Sequence, residues 1–148
     1  MENLLIGMMF LSPIPVHAET IELLPAPQVV EVSTRSQKLI NAIKDHESGG
    51  NYEIRGDSGE IGAYQFMPST FKSASLKYLG QEIEPTPLNQ DLIARLSIED
   101  LIAQGYSDKE IALIWNSGTT EIRKGINKYG VPYDTEAYAN IILSKLES

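Results

Sequence analysis

At 148 residues, with 12 Lys and Arg against 20 Asp and Glu, no Cys and 42% hydrophobic residues, the chain is sized for one domain plus a tail and composed like a folded protein. Its formal net charge of −8 argues against a nucleic-acid binder, because affinity for phosphate backbones comes mainly from Lys and Arg. The absence of Cys excludes disulfides, thiolate zinc sites and a Cys nucleophile.

Leu4 to Leu11 (LLIGMMFL) is an apolar run too short to span a bilayer, and Val16-His17-Ala18 follows it just before Glu19. Residues 1–18 therefore resemble a secretory signal peptide cut after Ala18, and the mature chain is expected to be exported, to the periplasm or the cell wall. Met1-Glu2-Asn3 lacks the customary Lys or Arg, so a buried N-terminal helix and a retained membrane anchor are the alternatives. Removing residues 1–18 takes away only Glu2 among the charges and leaves −7. Pro25 and Pro27 disfavour helix, so residues 19–33 are expected to be an extended linker or strand ahead of a domain over 34–148.

From there the apolar period is helical, and the expected fold class is all-α, or α-dominated. Ser36 to His46 places Leu39, Ile40, Ala42 and Ile43 on one face of a first helix, which runs into Gly49-Gly50. Pro68 opens a second helix and Gly80 closes it, while Pro85 and Pro87 prevent its continuation. A third starts at Asn89 or Asp91 and ends before Gly105. Ser107-Asp108-Lys109-Glu110 is a capping box that starts a fourth, stopped by Gly118. Thr120 is read as opening a short fifth helix that ends at Tyr129-Gly130, and Asp134 or Thr135 caps a last one carrying Tyr138, Ile141, Ile142 and Leu146. Strict alternation is hinted at only between Ile61 and Phe66.

The local pattern departs from this logic in residues 46–70, where Gly49, Gly50, Gly56, Gly59 and Gly62 crowd into one stretch. Such a loop lets a backbone approach a ligand closely. Glu47 stands at the end of an apolar helix directly before it, placed for partial burial at the rim of a cleft; burial raises a carboxyl pKa and makes the group a proton donor near neutrality.

Glu47-Ser48-Gly49-Gly50, Gly62-Ala63-Tyr64-Gln65-Phe66-Met67-Pro68-Ser69-Thr70, Ala112 to Gly118 (ALIWNSG) and Val131 to Tyr138 (VPYDTEAY) resemble, in order, the motifs of lytic transglycosylases of the soluble-transglycosylase type. These belong to the lysozyme-like superfamily and cleave the glycan strands of peptidoglycan, and the likeness covers roughly residues 36 to 146. It implies a lysozyme-like helical domain in which Glu47 is the catalytic acid and base and Ser48 supports the substrate or the loop. It further implies that Gln65 and Asn116 contact bound sugar and that Tyr138 hydrogen-bonds the catalytic carboxylate. Where the family commonly has Leu-Met the chain has Ala63-Tyr64, and Trp115 replaces a common Tyr; the rings of Tyr64 and Trp115 are both expected to be able to stack on a pyranose.

The resemblance implies cleavage of the β-1,4 bond between N-acetylmuramic acid and N-acetylglucosamine. Two carboxyl groups are the usual requirement, but a 2-acetamido group on the substrate can stand in for one of them, so that a single Glu leaves a 1,6-anhydro product. A hydrolytic muramidase using Asp57 or Glu60 as second carboxylate is the rival, and a catalytically silent glycan-binding module of a secretion or phage apparatus is another. His17 and His46 are isolated, and no metal or other cofactor is expected. The expected partners are glycan strands and an envelope-spanning secretion or assembly machinery, with the chain itself a monomer and no nucleic acid involved.

Overall fold

The computed structural model describes residues 34–147 except Tyr129. The expected signal peptide over 1–18 and linker over 19–33 lie outside the described residues, as does Tyr129, the expected end of a fifth helix. Five helices and one small hairpin make up the described chain: α1 (Thr34–Ser48), α2 (Pro68–Leu79), α3 (Pro87–Ala103), α4 (Asp108–Ser117), β1 (Lys124–Ile126), β2 (Pro132–Asp134) and α5 (Thr135–Leu146). The domain is helix-dominated and none of these helices is long and apolar enough to cross a membrane.

Local chemistry sets most of the boundaries. Pro68 occupies the first turn of α2, where a missing N–H is harmless, and Gly80 ends it in the left-handed conformation, donating its N–H to the Leu76 carbonyl. Ser107 and Glu110 form the full reciprocal capping box of α4. The Asp134 carboxylate accepts the Glu136 and Ala137 N–H groups to cap α5. Two expectations are corrected. α3 begins at Pro87 rather than at Asn89 or Asp91, because Thr86 caps it and the proline serves as its first helical residue. The expected short helix after Thr120 is instead an antiparallel hairpin pairing Lys124 with Asp134, Gly125 with Tyr133 and Ile126 with Pro132. Asn127 holds its turn, exchanging bonds with Val131 through both backbone and side chain.

α1 packs on α3 and α5, α4 on α5, and α2 on α3. Leu39 and Ile43 of α1, Ile93 and Ile98 of α3, Ile111 of α4 and Ile142 of α5 are all fully buried in one cluster. Each such side chain stabilises the fold by about 1.5–3 kcal/mol relative to leaving it in water. Arg35 ties the start of α1 to the next layer through Asp108 (2.8 Å) and the Tyr106 carbonyl (2.7 Å). The end of α1 lies against α5, and the loop 49–67 leads from it to α2.

Candidate active site

Glu47 lies in the last turn of α1, and its Oε1 accepts a 2.5 Å hydrogen bond from the Tyr138 hydroxyl, 91 residues further on in α5. Burial pushes the Glu47 carboxyl above the ordinary carboxylate range; the Tyr138 bond pulls it partly back and the negative charge of Glu60 adds to the push. Burial and the neighbouring carboxylate raise the Tyr138 phenol well beyond its usual value, so it remains a donor. His46 packs edge-on against the Tyr138 ring at 5.0 Å, which keeps the phenol aimed at Glu47.

The glycine-rich segment is a tight, internally bonded loop. Ile61 pairs with both Arg55 and Phe66 as isolated bridges, which is the structural content of the alternation between Ile61 and Phe66. Gly62 adopts φ +70° and Gln65, alone among the described non-glycine residues, has positive φ, +49°. Such a backbone is strained for a side-chain-bearing residue and persists only where its surroundings fix it. Gln65 Nε2 donates to the Gly62 carbonyl at 2.9 Å, closing the loop on itself.

The loop, the α1 end, α2, α3 and the α4 C-terminus line an open cleft of about 1120 Å³, bordered among others by Glu47, Asp57, Glu60, Gln65, Trp115 and Asn116. That is just above the roughly 300–1,000 Å³ of small-molecule sites and fits an extended ligand. Five of the expected site residues thus border one cavity: Glu47, Tyr64, Gln65, Trp115 and Asn116, with Tyr64 buried beneath its surface. Trp115 is half-buried, its ring 5.2 Å from Phe66 and 6.2 Å from Tyr64, whereas Asn116 is exposed. Tyr138 stands behind Glu47 and orients it.

Tyr64 is placed differently from expectation, and Ser48 takes one of its two expected roles. Tyr64 is 0% exposed, and its hydroxyl donates to Asp91 at 2.6 Å. Its ring supports Trp115 and Phe66 from beneath and offers no face to a sugar. Ser48 spends its hydroxyl on the loop, donating to the Ala63 carbonyl (2.8 Å) and accepting from the Gly50 and Asn51 N–H groups. It is a loop support, the second of its two expected roles.

The residues that sequence reasoning missed are at the start of α3. Gln90, 2% exposed, accepts from Ala63 N and donates to the Tyr52 and Pro85 carbonyls. Asp91 accepts from the Tyr52 and Tyr64 hydroxyls. A polar pair next to a helix start reads as capping, and only the fold brings it under a loop 27 residues away in sequence. No group of three or more metal-ligating side chains converges among the described residues.

The domain is thus helix-dominated and lysozyme-like, and its open cleft carries a half-buried acid held by a tyrosine. The Transglycosylase SLT domain family matches residues 31–134, and the chain belongs to that family, a lytic-transglycosylase-type domain that acts on peptidoglycan. No curated protein matches the sequence. The family match stops one residue short of α5, so Tyr138 is joined to the site by geometry.

Proposed function

We propose that the chain is a peptidoglycan lytic transglycosylase that cleaves the β-1,4 bond between N-acetylmuramic acid and N-acetylglucosamine and leaves a 1,6-anhydromuramic end. The observation that carries this reading is the half-buried Glu47 carboxyl, raised above the ordinary carboxylate range by burial and gripped by Tyr138 at the wall of an open cleft. In its acid form Glu47 donates a proton to the glycosidic oxygen as the C1–O bond breaks, with the 2-acetamido carbonyl oxygen stabilising the positive charge at C1. The resulting carboxylate then takes the proton of the muramyl 6-hydroxyl, whose oxygen closes on C1. One Glu serves as acid and then base, and no water is consumed. Gln65 and Asn116 supply hydrogen bonds to the sugars and Trp115 a partly open ring.

A hydrolytic muramidase is the second reading, favoured by Glu60 and Asp57 lining the same cleft. Either could activate water in place of the 6-hydroxyl. The intact pairing of Glu47 with Tyr138 weighs against a silent binding module. Export through residues 1–18 and action at an envelope-spanning assembly complete the proposal, and the N-terminal sequence of the mature protein checks the cut after Ala18.

The deciding experiment is mass spectrometry of muropeptides released from isolated peptidoglycan by the protein and by Glu47→Gln. Products one water lighter than those of hydrolysis, missing with the variant, are expected. Products of full hydrolytic mass would move the protein to the muramidases, and no products from the wild type would leave glycan binding alone.

A further inference from the structure

The Ala63 peptide, in the loop that frames the cleft, is held from both sides. Its N–H donates to the Gln90 Oε1 at 2.9 Å and its carbonyl accepts from the Ser48 hydroxyl at 2.8 Å. One holder stands at the start of α3, the other at the end of α1 beside Glu47. The Gln90 amide is itself fixed: Nε2 uses both its protons, on the Tyr52 carbonyl (3.1 Å) and the Pro85 carbonyl (2.7 Å), so the acceptor oxygen cannot swing away. It also lies where a side chain on Gly62 would have to go, since a Cβ there would fall on the amide of Gln90. Two residues beyond Ala63, Gln65 takes its strained φ of +49° and bonds back to the Gly62 carbonyl. The strain is sustained by a loop that is anchored at Gly62 and Ala63.

We propose that Gln90 is a positioning residue: with Ser48 it clamps the Ala63 peptide between α3 and α1, and through that clamp it sets the conformation in which Gln65 faces the cleft. This rests on the reading of the cleft as a glycan-cleaving site, in which Gln65 touches substrate and Gln90 touches none. A buried amide with all its bonds made is stiff, and removing it leaves the Ala63 N–H, the Tyr52 carbonyl and the Pro85 carbonyl seeking water. The loop then relaxes and Gln65 leaves its strained geometry.

The test is a double-mutant cycle in the full chain between Gln90→Met, which keeps the side-chain length and removes the amide, and Gln65→Ala. Misplacement of a substrate contact by about 1 Å lowers turnover by up to ~100-fold, so each single variant is expected to lose about 10- to 100-fold in muropeptide release. The double variant is expected to fall within about 2-fold of the weaker single, because residues acting through one another are not additive. Losses that multiply would overturn the proposal, since Gln90 would then act independently of Gln65. Should Gln90→Met fail to fold, Ser48→Ala, at the half-exposed other end of the clamp, enters the same cycle under the same criterion. Amide hydrogen exchange separates this inference from the activity on which it rests. The Ala63 N–H is expected to exchange at least ~10-fold faster in Gln90→Met while the core amides of α1 and α5 hold their rates, as local opening permits. An unchanged Ala63 rate would refute the clamp whatever the enzyme does, and a wild type that releases no muropeptides while Ala63 behaves as expected would refute the activity alone.

Discussion

At the scale of single residues, the site is a contest between burial and hydrogen bonding over one proton. Burial and Glu60 favour the acid form of Glu47, and Tyr138 favours the carboxylate. On the proposed mechanism, two variants are expected to move in opposite directions the alkaline limb of the cleavage profile, above which Glu47 has lost its proton. Tyr138→Phe removes the hydrogen bond that favours the carboxylate and is expected to shift the limb to higher pH, with a turnover loss of about 10-fold from the freed carboxyl. Glu60→Gln removes a push towards the acid form and is expected to shift it to lower pH. Stability follows the same proton. The folded chain holds it at pH values where the unfolded chain has released it, so the contribution of Glu47 is lost as pH rises from the ordinary carboxylate range through the raised value. Glu47→Gln is accordingly expected to lose cleavage by about 100-fold or more and to melt higher than wild type at neutral pH, the gain vanishing in acid, as scanning calorimetry at both pH values would register. A variant that melts lower at neutral pH would contradict the burial argument.

At the scale of elements, what could be read in advance was what neighbours in sequence decide. Pro68, Gly80, Ser107 with Glu110, and Asp134 each act within one turn, and each marks a boundary of the structure. The hairpin 124–134 escaped because three-residue strands carry no usable period and their outward residues, Ile126 and Tyr133, are apolar and exposed. The second helix does end before Pro85 and Pro87, but Pro87 also opens α3, two residues ahead of Asn89, because a helix accepts proline in its first turn. In the site, Glu47, Gln65, Trp115 and Asn116 were legible from motifs, whereas the burial of Tyr64 was not, since it depends on Asp91 in another element. Gly62 and Gly80 offer a measurement of that difference, because both have φ +70° while only Gly62 faces another side chain. Gly80→Ala should destabilise by about 1 kcal/mol, the ordinary expense of a left-handed residue, and Gly62→Ala by about 3 kcal/mol or more. Equal losses in chemical denaturation would mean that the Gln90 amide yields freely.

At the scale of the molecule, α5 completes both the core and the site although it lies beyond the family match. It contributes the buried Tyr138, Ala139 and Ile142, and Lys145 pairs with Asp45 at the end of α1. A chain truncated after Asp134 is expected to lose its cooperative thermal transition by circular dichroism, since removal of even one large buried aliphatic costs about 2–5 kcal/mol against a total of roughly 5–15. Because all five described helices share one hydrophobic cluster, the full chain should melt this domain in a single transition. A sharp melt retained by the truncated chain would show that α1 to α4 suffice.

Trp115 is the sole tryptophan of the chain, half-buried at the cleft with Tyr64 and Phe66 packed behind it. The protein is thereby its own optical reporter: a saccharide seated against the indole displaces water from it and shifts its fluorescence to shorter wavelength, so that occupancy of the cleft can be followed without a label even in Glu47→Gln, where nothing is cut.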